Sequence, residues 1–128
     1  MTPEAITLHK GAQKLELVFD GQSFHLDAEF LRVHSPSAEV RGHGPGQAVL
    51  QHGKQFVKMV SLSQVGHYAV QIRFDDDHDS GIYAWDYLYE LCINRDTYWD
   101  DYLNALEDAG KRRDPGEQVI KLFDPAKN

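Results

Sequence analysis

Lys14-Leu15-Glu16-Leu17-Val18-Phe19-Asp20-Gly21-Gln22-Ser23-Phe24-His25-Leu26 is the stretch on which the fold turns. Leu15, Leu17 and Phe19 share one side of an extended chain. Asp20-Gly21 has the composition of a two-residue hairpin turn, and Phe24 and Leu26 resume the period of two on the way back. Ile6 and Leu8 predict a short strand ahead of this hairpin.

Downstream, Asp27 is placed to cap a short helix over Ala28–Val33, with Phe30 and Leu31 turned inward. His34 to Gly53, rich in Ser, Pro, Gly and His, reads as a long loop with a short strand near Ala48–Leu50. Phe56–Leu62 and the alternating Tyr68–Phe74 predict two strands joined by a turn at Ser63–His67. Asp75–Gly81 then leads into a strand over Ile82–Trp85. Connections this short favour antiparallel neighbours.

The rest is helical, with Asp86 as cap of Tyr87–Ile93 and Asp96 as cap of Thr97–Ala109. Trp99, Tyr102, Leu103 and Leu106 form a helical stripe, and Gly110 is the stop. The expected class is α+β: a small antiparallel β-sheet, made of the N-terminal hairpin and the central strands, packed with C-terminal helices. Residues 1–113 form one domain and 114–128 a C-terminal tail, whose Val119, Ile120, Leu122 and Phe123 suit an edge strand or a loose docking segment.

The chain has 128 residues, enough for one domain with its own core. Thirteen Lys and Arg face 20 Asp and Glu, a net charge of −7 that repels phosphate backbones. The basic run Lys111-Arg112-Arg113 follows a predicted helix, where cations complement the helix dipole, so no nucleic-acid partner is expected. A lone cysteine, Cys92, excludes a disulfide framework. The start Met1-Thr2-Pro3-Glu4-Ala5-Ile6 lacks a basic and then apolar leader, and no apolar run reaches bilayer length. The expectation is a cytoplasmic protein with no membrane partner.

Seven histidines are the first candidates for chemistry. His34, His43 and His78 lie in or beside loops, near Glu39, Asp75, Asp76, Asp77 and Asp79, and would hold a divalent metal if the two loops met. Solvated loop histidines and turn aspartates are the commoner case. His25-Leu26-Asp27 has the H-x-D spacing of an iron facial triad, but His25 falls in a hairpin strand, Asp27 is a helix cap, and the strands are too few for a jelly roll. Cys92 sits among apolar helix neighbours. Ser35, Ser37 and Ser80 lack nucleophile-elbow spacing, and Gly42-His43-Gly44-Pro45-Gly46 lacks the P-loop Lys-Ser/Thr. No residue set argues for catalysis. Tyr83, Trp85, Tyr87, Tyr89, Tyr98, Trp99 and Tyr102 crowd the C-terminal third, and those left exposed would suit a protein interface.

Four segments together resemble a known family: Leu31-Arg32, Ser35-Pro36-Ser37-Ala38-Glu39-Val40-Arg41-Gly42-His43-Gly44, Gly66-His67-Tyr68-Ala69, and Asp76-Asp77-His78-Asp79-Ser80-Gly81-Ile82-Tyr83-Ala84-Trp85. The family is the domain of unknown function 971, or gamma-butyrobetaine hydroxylase-like N-terminal domain, and the resemblance runs from about Ile6 to Arg113. It implies a small mixed domain with an antiparallel sheet. Such domains precede an iron/2-oxoglutarate catalytic domain in the hydroxylases, occur alone, and occur fused to P-loop ATPases linked to iron–sulfur assembly.

The hydroxylase version holds a structural zinc on three cysteines and a histidine. By the resemblance the cysteine positions correspond to Ser35, to Ser37 and, near the third, to Val40, while His78 matches the histidine. The implied protein is a stand-alone form without that zinc, with no cofactor and no hydroxylase activity. Two functions follow. The first is a non-catalytic accessory or protein-binding module that meets an unknown protein partner, or a second copy of itself, through Ser35, Ser37, Glu39, Arg41, His43, Tyr83 and Trp85. The second is a metal-handling role related to iron–sulfur assembly, with His34, His43 and His78 as ligands. Under the first, His78 and its neighbours tie the strand ending at Phe74 to Ile82–Trp85 and hold the Ser35–Gly46 loop.

Overall fold

The structure, a computed structural model, describes residues 1–42, 44 and 46–116; His43, Pro45 and the apolar residues expected to dock from the tail lie outside the described residues. Strands β1 (Ala5–His9), β2 (Lys14–Phe19) and β3 (Gln22–Asp27) form an antiparallel sheet in the order β1-β2-β3. Leu15 faces Leu26 and Leu17 faces Phe24 across the β2–β3 ladder, so the apolar alternation of the two strands coincides. The turn has φ +50° at Asp20 and +76° at Gly21, left-handed at both central positions, which is why Asp-Gly occupies them.

Helices α1 (Ala28–Val33) and α2 (Ala38–Arg41) follow. A second antiparallel sheet, in the order β4-β5-β6, contains β4 (Met59–Val65), β5 (Ala69–Phe74) and β6 (Ile82–Ala84). Helices α3 (Trp85–Ile93) and α4 (Arg95–Ala109) complete the described chain. No helix among the described residues is long and apolar enough to cross a membrane. The class is α+β as expected, with the strands divided between two sheets rather than gathered in one.

Gln13 joins the sheets. Its side-chain amide donates to the Met59 carbonyl (3.3 Å) and accepts from the Met59 N–H (2.6 Å), serving the free edge of β4 as a backbone rung would. One core then forms between the layers. Leu15, Leu17, Phe19 and Leu26 from the first sheet meet Met59, Ile72 and Phe74 from the second, Phe30 and Leu31 from α1, and Leu88 and Leu91 from α3, all essentially inaccessible to solvent. Each such side chain contributes about 1.5–3 kcal/mol of burial, so the core and not the short helices holds the fold.

Six expectations need correction. No strand forms at Ala48–Leu50; the Val49 N–H instead reaches back to the Val40 carbonyl (2.7 Å), closing the segment under α2. The strand expected from Phe56 begins at Met59, because the Val57 N–H turns back to Lys54 and Phe56 is left in solvent. Trp85 opens α3 rather than ending a strand. Asp86 lies in the first turn of α3, where its carboxylate takes the Met1 amine (2.8 Å), and Ala84 holds the cap position. Asp96 likewise lies within α4, whose cap position is Asn94, and beside it Leu103 is exposed while Tyr102 and Leu106 are buried. The Asp27 cap of α1 does form, accepting from the Phe30 N–H at 2.8 Å, and Gly110 ends α4 in the left-handed region.

Candidate functional site

His78 is buried midway along the loop between β5 and β6, where its own carbonyl accepts from the Phe74 N–H (2.9 Å) and fixes the turn. The ring reaches the segment between α1 and α2. Nε2 lies 2.8 Å from Ser35 Oγ and 3.4 Å from Ser37 Oγ, and Nδ1 lies 3.3 Å from Glu39 Oε2. A proton on Nδ1, donated to Glu39, leaves Nε2 to accept from Ser35, and both ring nitrogens are then satisfied. Gly81 packs directly on Ser35, so that any Cβ there would collide with the hydroxyl. Tyr83, fully buried, donates to the Leu31 carbonyl (2.5 Å) and Tyr87 to the His34 carbonyl (2.6 Å), pinning the same segment from β6 and α3.

A charged group braces this latch. Buried Arg32 donates to Asp76 Oδ2 (2.9 Å) and to Gln51 Oε1 (3.0 Å), and Lys54 reaches the same carboxylate oxygen (2.8 Å). Burial raises the Asp76 pKa, but the Lys54 hydrogen bond and the Arg32 charge outweigh it and hold the carboxyl below its ordinary range. For His78, burial and then the Arg32 charge push the imidazole pKa down against the pull of Glu39. His34 is lowered as well, by burial, against a hydrogen bond from its ring to the Phe30 carbonyl (2.8 Å).

Both shifts make stability depend on pH in one direction. An unfolded histidine takes up a proton near pH 6.5, whereas these two bind it only at lower pH, so the unfolded chain gains protons first as pH falls. The stabilisation is complete above about pH 6.5 and is lost as pH falls below it. The urea midpoint is therefore expected to drop between about pH 7.5 and pH 5.5, and His34→Phe should flatten that drop. A midpoint that is level or rises toward acid would contradict the assignment.

Ser35, His78 and Glu39 have the connectivity of a hydrolytic triad. The resemblance stops at access: Ser35 is 1% exposed, sealed by Gly81 and Tyr83, and no attacking trajectory reaches its hydroxyl. As a zinc site the set that the family resemblance matches to the metal ligands, Ser35, Ser37, Val40 and His78, also fits poorly. It offers two hydroxyls and one imidazole, and Val40 carries no donor atom. Cys92 is buried, its thiol pushed up to about 12 by desolvation alone, and is inert.

Beside the latch lies an open cleft of about 480 Å³ between the α1–α2 segment and the helices α3 and α4. Val33, Val40, Val49 and Leu50 give it an apolar wall, and Tyr87, Tyr98 and Tyr102 an aromatic one. Arg41 lies over the Tyr87 ring (4.7 Å to its centroid), and Asp101 also lines the cleft. His34 is built into the wall, its ring 4.4 Å from Phe30 and 5.9 Å from Tyr98, centroid to centroid.

Of the residues singled out from the sequence, Ser35, Ser37 and Tyr83 are buried and offer no contact surface, which corrects the expectation that a partner meets them. Their hydroxyls are spent inside the latch. Glu39 and Arg41 are exposed, Trp85 is half-buried with its indole N–H on the His67 carbonyl (2.7 Å), and His43 lies outside the described residues. His34 lines the cleft while His78 faces the latch. Among the described residues, the one group of three metal-ligating types with converging ligand atoms is His9, Glu16 and His25. The cleft and this trio both escaped the sequence reading, for they depend on contacts between distant segments.

The family model described as gamma-butyrobetaine hydroxylase-like, N-terminal, matches residues 6–89. A protein known from an NMR solution structure is 54% identical, with a TM-score of 0.80 over 95% of this chain and 97% of that one. A crystal structure from Acidithiobacillus ferrooxidans, of a protein of unknown function in the DUF971 family, is 35% identical, with a TM-score of 0.58 over 70% of this chain and 91% of that one. Titin of Drosophila melanogaster is 27% identical over 100 residues, 78% of this chain but 0% of that protein's length, and carries no argument.

Proposed function

This chain belongs to the gamma-butyrobetaine hydroxylase-like N-terminal family, and on that premise we propose that it is a non-catalytic protein-binding module, with no zinc at the His78 site. The observation that carries the reading is the cleft. An apolar and aromatic depression rimmed by Arg41 and Asp101 has the composition of a contact surface that takes an apolar anchor side chain from a partner and orients it with charge at the edge. The latch supplies the rigidity such a surface needs, since it fixes the α1–α2 segment that forms one wall.

The test is capture from native cells with the full chain and a Val49→Asp variant. Val49 is more than half exposed on the cleft wall, so the substitution leaves the core untouched. The expected result is one stoichiometric protein partner for the parent chain, lost with Val49→Asp while the fold persists. No partner, or a partner indifferent to the variant, would sink the reading. A fluorophosphonate probe addresses catalysis separately: Ser35 is expected to stay unlabelled, and labelling there would establish a nucleophile. The metal-handling alternative through His34, His43 and His78 draws less support, because the His34 ring bonds to its own helix and His78 has both nitrogens engaged.

A further inference from the structure

The outer face of the β1-β2-β3 sheet carries a group that none of the foregoing uses. Glu16 stands directly across from His25 in the β2–β3 ladder, and His9, at the end of β1, lies diagonal to it, since Thr7 is the direct β1 partner of Glu16. His9 Nε2 is 2.7 Å from Glu16 Oε1, and His25 Nε2 is 3.8 Å from the same oxygen. One ligand atom from each residue lies within 4.8 Å of the other two. The imidazoles are stacked, with centroids 6.2 Å apart and planes 30° from parallel.

From this geometry we propose a surface site for a divalent transition-metal ion, zinc the first choice, held by His9, Glu16 and His25. Two imidazoles and a carboxylate form a donor set that zinc accepts, with one position left to water. Tetrahedral ligands about 2.0–2.2 Å from zinc stand roughly 3.3 Å apart, so the His9–Glu16 pair opens slightly and the His25–Glu16 pair closes slightly. Both rings are about half exposed and can make these small moves, while the β ladders hold the three Cα positions fixed. The second carboxylate oxygen is already oriented: Ser23 Oγ donates to Glu16 Oε2 at 2.8 Å, leaving Oε1 for the ion. Lys14 faces His9 across the β1–β2 ladder and opposes a bound dication, so Lys14→Gln should tighten binding.

The H-x-D pair His25 and Asp27 contributes only its histidine. Asp27 caps α1, and the carboxylate comes from the neighbouring strand.

The experiment is a titration of the metal-stripped full chain with Zn(II), followed by histidine-ring ¹H–¹⁵N spectra and calorimetry. His9 and His25 are expected to shift together and saturate at one ion per chain, with His52 and His67, both exposed, as internal controls. His9→Ala, His25→Ala and Glu16→Gln should each weaken binding by at least about tenfold, and Ser23→Ala by a smaller factor. These positions are on the surface, and an unchanged amide spectrum will show that each variant is folded. Shifts spread over all exposed histidines without saturation, or affinity unchanged in the His9→Ala and His25→Ala chains, would overturn the proposal and leave the trio a cross-strand hydrogen-bonded cluster only.

Discussion

His78→Ala is expected to destabilise the chain by about 2–4 kcal/mol, a large share of the roughly 5–15 kcal/mol that holds a domain of this size. Two mechanisms add. Removing a ring that is fully enclosed leaves a cavity between the loop after β5 and the α1–α2 segment. It also leaves Ser35 and Ser37, both buried, without their shared acceptor, and an unsatisfied buried hydroxyl costs about 1–3 kcal/mol. The loss should appear in the urea midpoint with little change in slope. His78→Gln, which keeps hydrogen-bonding capacity and most of the volume, should recover part of it. Equal stability of His78→Ala and the parent chain would show that the latch does not hold the segment.

Arg113→Met is the second large effect, again about 2–4 kcal/mol. Glu29 is a buried carboxylate on α1, and Arg113, four residues beyond α4, clamps it, Nη2 to Oε1 at 2.7 Å and Nε to Oε2 at 3.0 Å. Its guanidinium also lies over the Trp99 ring, 5.0 Å from the centroid. Removing one partner of a buried pair strands the other, which costs about 3–5 kcal/mol when both are enclosed. Arg113 is 39% exposed, so water relieves part of that cost and the lower range is expected. The double variant Glu29→Gln/Arg113→Met should be less damaged than Arg113→Met alone, because no charge is then left buried. A double variant that loses the full sum would contradict the stranded-charge account.

The basic run at 111–113 shows how far the sequence could be read. Its position after a helix accounts for its charge through the helix dipole, but the Glu29–Arg113 fork spans 84 residues and no local pattern signals it. Local chemistry was legible where it is self-contained. The Asp20-Gly21 turn, the Asp27 cap and the Gly110 stop each follow from a residue and its immediate neighbours. The start of β4 was not, because Val57 and Phe56 are apolar enough for a strand and only the turn back to Lys54 displaces them. Nor was the division into two sheets, which the Gln13 side-chain amide bridges in place of a backbone ladder.

The site divides in the same way. Family resemblance brought Ser35, Ser37 and His78 together on paper, and the structure places them in contact. It did not reveal that Ser35, Ser37 and Tyr83 would be buried, since Ser and Tyr in a Gly- and Pro-rich region read as surface. The cleft requires α4 to fold back over the α1–α2 segment, and the His9–Glu16–His25 trio requires two strand registers at once. Neither is visible along one strand or one helix.

The central claim is that the His78 latch is a hydrogen-bonded tie with no metal in it. The most direct test is the ring ¹H–¹⁵N spectrum of His78 in protein purified without chelator, recorded before and after treatment with a strong chelator. The account predicts an unchanged resonance of a neutral ring protonated at Nδ1. A His78 resonance that moves on stripping, with release of one zinc ion per chain, would contradict it.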